Sequence, residues 1–476
     1  MTSISVVRQL LNLLTEAVDS LEETCAAKGI PIPDLNEPFH PASEAFRADP
    51  AAADATRIIG AAAHHLAAIV APPPVSMYSM IGGMVGSSAL RVCLESHVTE
   101  ILRTAGPKGM TPEEISAING QDPKKLGRFL RMLSTFHIYR EIGPNLFTNN
   151  RVSSMLDTLK SYDEIVADPS KKNDGTPGFT ALVGHHLDEV FKAAAYSWEA
   201  ASTASKDDFE NPAKTPFNKA FNTDDTFFQY FQRPDQAERQ RRFGLGMKGV
   251  QALQHPDVVL SAFDWQSLPT DSVVVDIGGG IGHAMLPLVK RYPQLKIVVQ
   301  DLPSVVEDAK PFWTEKMPEA ITSGQVTLEG HDFFEPQTRK ASVFFLKQVL
   351  HDWPDQHCVK ILTHLRAAAT PDTRLVVMDS IIPYACHDPS ASTRESIKGY
   401  EPEEAPAPLL SNYGSASAMA YYADIVMYIS VNSQERTITH HVDLLRSAGW
   451  KIVAVHRPQG DGSFHQGIEA IPIYLS

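Results

Sequence analysis

The chain has little of what marks a secreted, membrane-spanning or nucleic-acid-binding protein. Its 476 residues hold four cysteines, Cys25, Cys93, Cys358 and Cys386, widely spaced and without a C-x-x-C pair. That excludes a disulfide framework, so free or buried thiols in a reducing compartment are expected, with the cytoplasm as the location. No apolar run approaches the roughly 18 uncharged residues a membrane span needs. The opening segment, MTSISVVRQLLNLLTEAVDSLEE, reads as an amphipathic helix with acids in it. It lacks the basic start and apolar block of a signal peptide. Positive charge is in deficit: 42 Lys and Arg face 56 Asp and Glu, a net charge of −14. Such a balance opposes a phosphate backbone and suits action on a small molecule. Metal-ligand spacing is missing too, so no metal is expected. His64-His65 and His440-His441 are adjacent pairs on helical segments, whose rings point in different directions.

What remains is an ordinary globular composition, 43 % hydrophobic and 21 % charged, in a chain long enough for two or three domains. Residues 1–75 read as an N-terminal extension of two helices, separated by PIPDLNEPFHP and closed by Pro72, Pro73 and Pro74. Residues 76–175 read as a winged-helix-like domain. Thr111-Pro112-Glu113-Glu114 is a helix start with a capping residue, an early proline and early acids. A turn at Asn119–Asp122, a second helix and a short hairpin, IYREIG with NLFTNN, complete it. Lys124, Lys125, Arg128 and Arg131 on that second helix raise DNA binding as an alternative, against which the acidic chain argues. Linking helices are expected over 176–262, and alternating strands and helices from 263 to 476. That alternation predicts a mostly parallel sheet with strands near 273–277, 295–300, 325–328, 342–347, 373–379, 450–456 and 468–475. The segment 384–417, with four prolines and many small residues, is expected to be an exposed loop.

The most informative stretch is VVVDIGGGIGHAMLPLVKRYPQLKIVVQDLPSVVEDA, residues 273–309. A strand ends in Asp276 and runs into Gly278, Gly279, Gly280 and then Gly282. A helix is expected from about Ile281 to Arg291, with its free N–H groups facing the same ligand as the glycines. A second strand ends at Asp301, about 20 residues on, where a carboxylate can bind ribose hydroxyls. The spacing D-x-G-G-G-x-G is not the dinucleotide pattern G-x-G-x-x-G. It resembles that of class I S-adenosylmethionine (SAM) methyltransferases.

The second stretch is VFFLKQVLHDWPDQHCVKIL, residues 343–362. An apolar strand runs into Lys347, and His351-Asp352-Trp353-Pro354 follows at the sheet edge where open α/β folds bind ligands. Histidine can take a proton near neutral pH. Methyl transfer to a phenol needs such a base, and the base needs a partner to fix its tautomer. Two acids could provide it: Asp379, ending the strand LVVMDSIIP, and Glu435 in SVNSQERT.

Taken in order, DIGGGIGH, VVQDLPSVV, GHDFFEP, FLKQVLHDWPD, MDSIIP, NSQERT and LLRSAGWKI resemble the O-methyltransferases typified by plant caffeic acid and flavonoid enzymes, and especially their fungal relatives. The resemblance runs from about residue 76 to the end. It implies a C-terminal Rossmann-like SAM-binding domain and an N-terminal helical, winged-helix-like dimerisation domain. It also implies SAM as cofactor, S-adenosylhomocysteine as product, a small hydroxylated acceptor and a homodimer through the N-terminal helices. By the same resemblance Asp276, Gly278, Gly279 and Gly280 hold the methionine end and Asp301 the ribose. Leu302, Asp332 and Phe333 surround the adenine, and Lys347 reaches the cofactor. His351 is the base, flanked by Asp379 and Glu435, while Phe243, Met247 and Asp352 are assigned to the acceptor. Asp379 departs from the plant pattern, which has Glu there. Some fungal proteins of this kind keep SAM yet catalyse dehydration or pericyclic reactions, which leaves a pericyclase or dehydratase of the same fold as the alternative.

Overall fold

A computed structural model describes residues 4–252, 257–389, 397–457 and 465–474. The chain divides into two compact units. The first comprises Met1–Glu199 with Pro216–Gln254, and the second Ala200–Thr215 with His255–Ser476.

The first unit is helical. α1 (Val6–Lys28) begins at Ser5, whose side chain accepts the N–H of Arg8, and ends at Gly29 in the left-handed region. It packs on α2 (Pro50–Val70) through Ala17, Leu21, Cys25, Ala52 and Ala55. α3 (Pro73–Glu95) follows after Ala71 and Pro72 and opens on prolines, which suit a helix's first turn. Its outward face is apolar: Met77, Tyr78, Met80, Ile81 and Met84 are 57–81 % exposed. α4 (Val98–Ala105) is separated from α3 by His97, which has φ +58°. The winged-helix pattern is present as expected. Thr111 and Glu114 form a reciprocal capping box at the start of α5 (Pro112–Asn119), and Asp122 caps α6 (Pro123–Thr135). The hairpin β1 (Arg140–Gly143) and β2 (Leu146–Thr148) brings its own Phe147 into a core with Ile101, Leu126 and Leu130.

Further along, helix Phe179–His185 passes through a π-turn, His186–Val190, into helix Phe191–Ala194. The helix Ala237–Ala252 carries Phe243 and Met247.

The second unit is built on a seven-stranded sheet of order β5-β4-β3-β6-β7-β9-β8. Its strands are β3 (Val273–Ile277), β4 (Lys296–Asp301), β5 (Val326–Gly330), β6 (Val343–Lys347), β7 (Arg374–Asp379), β8 (Trp450–His456) and β9 (Gln466–Pro472). The first five pair in parallel; β9 runs antiparallel to β7 and β8. The strands are near-continuous apolar runs because both faces are covered: Phe344 and Leu346 belong to one core layer, Phe345 and Val343 to the other. Strand order reverses between β3 and β6, which makes their carboxyl ends the ligand edge.

Two expectations need correction. No helix starts at Ile281. A 3₁₀ turn covers His283–Met285 and the α-helix runs only over Leu286–Arg291. Gly280 and Gly282 hold φ values of +59° and +77°, so the chain cannot yet be helical there, and Pro287 suits a first-turn position. Nor is 384–417 simply an exposed loop. Residues 390–396 lie outside the described part. Beyond them, Lys398 exchanges backbone hydrogen bonds with Val453 and Val455 of β8, and Tyr400 is buried in the core. Among the described residues all four cysteines are free, and no helix is long and apolar enough to cross a membrane.

Candidate active site

At the end of β3 the chain must turn tightly beneath a ligand, and the glycines permit it. The Gly279 N–H donates to the carbonyl of Gln300 at 3.0 Å, tying the turn to β4. A side chain at Gly279 would run into the Asp276 carboxylate, and one at Gly278 would stand 3.3 Å from Phe333. Beside Gly280 nothing lies within 4 Å of where a Cβ would be, so that position opens to free space. Asp301, at the end of β4, accepts the N–H of Gly280 at 2.8 Å and of Leu302 at 2.7 Å. Burial raises its carboxyl above the ordinary range, although the two N–H donors pull the other way.

Asp276 is buried, and one of its oxygens has no partner among the described residues. Burial, with a contribution from Asp301 and opposition from Lys347, pushes its carboxyl up to about 7. Lys347 ends β6 and donates to Gln348 Oε1 at 2.8 Å. Burial lowers its ammonium to about 8 against the pull of Asp276 and Asp379. Phe333 and Phe334 pack on Trp353, with ring centroids 6.0 and 4.7 Å away. Asp332 is exposed and accepts the N–H of Phe334 at 2.9 Å, and Leu302 is 41 % exposed.

His351 lies in a 3₁₀ turn, Leu350–Asp352, just past β6. Its Nδ1 is 2.7 Å from Glu435 Oε1, and its Nε2 is 3.6 Å from Asp352 Oδ1. Burial works against a charge on this ring. Glu435, Asp352 and Asp379 outweigh it and raise the imidazole to about 10. Both neighbouring aspartates are pushed up to about 6 by burial, with His351 opposing. Of the two acids considered as orienting partner, Glu435 makes the hydrogen bond. Asp379 is buried nearby with both oxygens unpartnered.

Arg436, next in chain to Glu435, escaped the sequence reading and is buried outright. It donates to the carbonyls of Leu350 and Trp353, each at 2.8 Å, and pairs with Asp355 at 2.8 Å. His440 engages the other Asp355 oxygen at 2.6 Å. His351 therefore sits in a turn braced from within. His465 was missed as well: it is buried before β9, with Nδ1 unpartnered, and burial and the charges of Lys347 and His351 keep it neutral. Only a long-range pairing, Asp379 with Gln466, brings it to this edge. Phe243 and Met247 lie on the helix Ala237–Ala252 of the first unit. In the first unit Phe243 stacks on Phe231 at 5.3 Å and meets His185 and Phe227 edge-on.

The donor set suits a nucleoside cofactor with an amino-acid end. It offers an orphaned Asp276 oxygen, an open glycine turn, a carboxylate on β4 and an aromatic wall. With a histidine–glutamate pair on the neighbouring strand end, fold and site define the class: a Rossmann-like, SAM-binding methyltransferase domain joined to a helical unit.

Comparison with known proteins makes this specific. An O-methyltransferase domain family matches residues 201–399, and an O-methyltransferase dimerisation domain family matches residues 78–158. The chain is 47 % identical over 470 residues to 4-O-methyltransferase 1 of Phanerochaete chrysosporium, covering 98 % of this chain and 99 % of that protein. Among solved structures it resembles the mitomycin 7-O-methyltransferase MmcR, with TM-score 0.62, 23 % identity and coverage of 84 % and 97 %. It also resembles LepI in complex with SAM, with TM-score 0.64, 19 % identity and coverage of 88 % and 94 %. The chain belongs to the SAM-dependent O-methyltransferases, and its relatives include O-methyltransferases of fungi.

Proposed function

We propose that this O-methyltransferase acts on a phenolic hydroxyl of a small aromatic metabolite, with His351 as general base. The observation that carries this reading is the 2.7 Å His351–Glu435 pair at the ligand edge of the sheet. Donating Nδ1–H to Glu435 leaves Nε2 as the acceptor, and the tautomer is thereby fixed. Nε2 then takes the phenolic proton as the oxygen attacks, a contribution of about 10²–10⁴-fold. Bound SAM supplies an electrophilic methyl group on a sulfonium. Asp276, Gly278, Gly279, Gly280 and Lys347 are assigned to its amino-acid end, Asp301 to the ribose, and Leu302, Asp332 and Phe333 to the adenine. Phe243, Met247 and Asp352 are assigned to the acceptor, and holding it in line contributes about 7–11 kcal/mol of the barrier reduction. Transfer of isotope-labelled methyl from SAM across a panel of phenols and aliphatic alcohols tests the reading. Conversion of a polyene or alcohol without consumption of SAM would replace it with the pericyclase alternative.

The dimerisation domain points to a homodimer. The apolar outer face of α3 supports pairing through the N-terminal helices. Light scattering should give twice 52.2 kDa, and a stable, active monomer would refute the pairing.

A further inference from the structure

The ligand edge of the second unit holds more negative charge than its own cations balance. Asp276, Asp301, Asp352, Asp379 and Glu435 stand there with Lys347 and His351. Arg436, the other nearby cation, is committed to Asp355, and His465 is kept neutral by burial and by Lys347 and His351. Four buried carboxylate oxygens, one each on Asp276 and Glu435 and both of Asp379, find no hydrogen-bond donor among the described residues. Orphaned polar atoms at that density mark a site completed by something else. His351 lies between Glu435 at 2.7 Å and Asp352 at 3.6 Å, with Asp379 on the adjacent β7. In that company it carries a proton when no ligand is bound, its titration raised to about 10. A protonated imidazole cannot act as a base.

The reaction itself supplies the remedy. In-line transfer requires the positive sulfonium close to the oxygen that His351 serves. A unit charge within about 6 Å, at an effective dielectric of about 20, moves a titration midpoint by about two pH units. We infer that Asp379 and Asp352 are counter-charges that hold a proton on His351 in the empty enzyme, and that His351 releases this proton to solvent when the cationic cofactor enters. The base is then armed only with the methyl donor in place. The transfer step keeps the charge of the site constant. The acceptor O–H bond breaks, its proton goes to His351 Nε2, and the oxygen bonds the methyl carbon as the carbon–sulfur bond breaks. The sulfonium becomes a neutral thioether as the imidazole becomes positive. This inference rests on the proposed role of His351 as base.

Calorimetric titration of the full-length enzyme with SAM and with S-adenosylhomocysteine, in buffers of different ionisation enthalpy, counts the protons exchanged. The ligands' amino groups also titrate, so the quantity read is the SAM-minus-S-adenosylhomocysteine difference in wild type less that in H351Q. At about pH 8 it should be about half a proton per site or more, released. Repeated across pH, the release in D379N should peak at lower pH than in wild type, because one counter-charge is gone and both midpoints of His351 fall. Equal proton counts in wild type and H351Q would overturn the inference, as would an unmoved pH of greatest release in D379N if H351Q does not fold. Full methyl transfer by H351Q on un-ionised phenols would instead overturn the base, a separate readout from proton release.

Discussion

Each unit of this enzyme buries a cluster of charged side chains, and the two clusters are finished differently. In the first unit, Asp188 and Glu189 lie in the π-turn with every carboxylate oxygen engaged. Asp188 pairs with Arg91 at 2.7 Å, with Arg242 at 2.7 Å and with Lys192, while Glu189 pairs with His185 at 2.9 Å, with Arg239 at 3.0 Å and with Arg242. Burial would raise the Asp188 carboxyl, but Lys192 and Arg242 hold it well below the usual range. In the second unit Asp276, Asp352 and Asp379 are all raised by burial, and four oxygens are left over. Buried carboxylates whose oxygens are all engaged serve the fold, whereas buried oxygens with no donor point to a ligand site.

The strongest way to break this comparison is at His351. His351→Ala should lower turnover on an un-ionised phenol by about 10²–10⁴-fold while affinity for S-adenosylhomocysteine, which has no sulfonium charge, stays near wild type. The loss should shrink for acceptors already ionised at assay pH; an equal loss for every acceptor would make His351 a mere wall of the pocket. Next comes the saturated cluster. Arg242→Met removes the guanidinium that Asp188 and Glu189 share and should cost roughly 1.5–3 kcal/mol of stability in denaturant unfolding, the scale of hydrogen bonds to charged groups. Asp379→Asn, which changes a carboxylate that accepts no hydrogen bond among the described residues, should cost none. Reversed costs would dissolve the distinction between the clusters.

Asp301→Ala should weaken binding of SAM or S-adenosylhomocysteine by roughly 1.5–3 kcal/mol, the scale of hydrogen bonds to a charged group. Unchanged affinity in titration calorimetry would remove Asp301 from the ribose. The smallest effect is a pH slope. The Asp379 carboxyl is raised from 3.8 to about 6 in the fold. The stability this group contributes is therefore fully present below 3.8 and is lost as pH rises through about 6. Asp379→Asn should gain on wild type across that window in unfolding experiments at stepped pH.

Much of the fold was legible because its signals are local. The apolar runs 273–277 and 343–347 are strands with the expected ends, and a helix starts at Pro112 behind its capping residue Thr111, as their order suggested. The site was legible where motifs carry it: Asp276, Asp301, Lys347, His351 and Glu435 meet at one sheet edge. What escaped depends on distance in sequence. Nothing near Tyr400 announces that Lys398 pairs with β8, and nothing near His465 announces Asp379. The division of labour between Glu435 and Asp379 is likewise a matter of reach, since the two arrive from different segments and only Glu435 comes within hydrogen-bonding distance of the imidazole.

Arg436 has a consequence for anyone wishing to change what this enzyme methylates. It grips Leu350, Trp353 and Asp355, while its neighbour Glu435 grips His351. Two adjacent residues thus hold one short turn, one by its backbone and the other by its reactive ring. Redesign is free on the side chains that shape the acceptor's surroundings and closed on this pair: an altered residue 435 or 436 would shift the chemistry and its scaffold together, so variants there cannot trade specificity against rate one at a time.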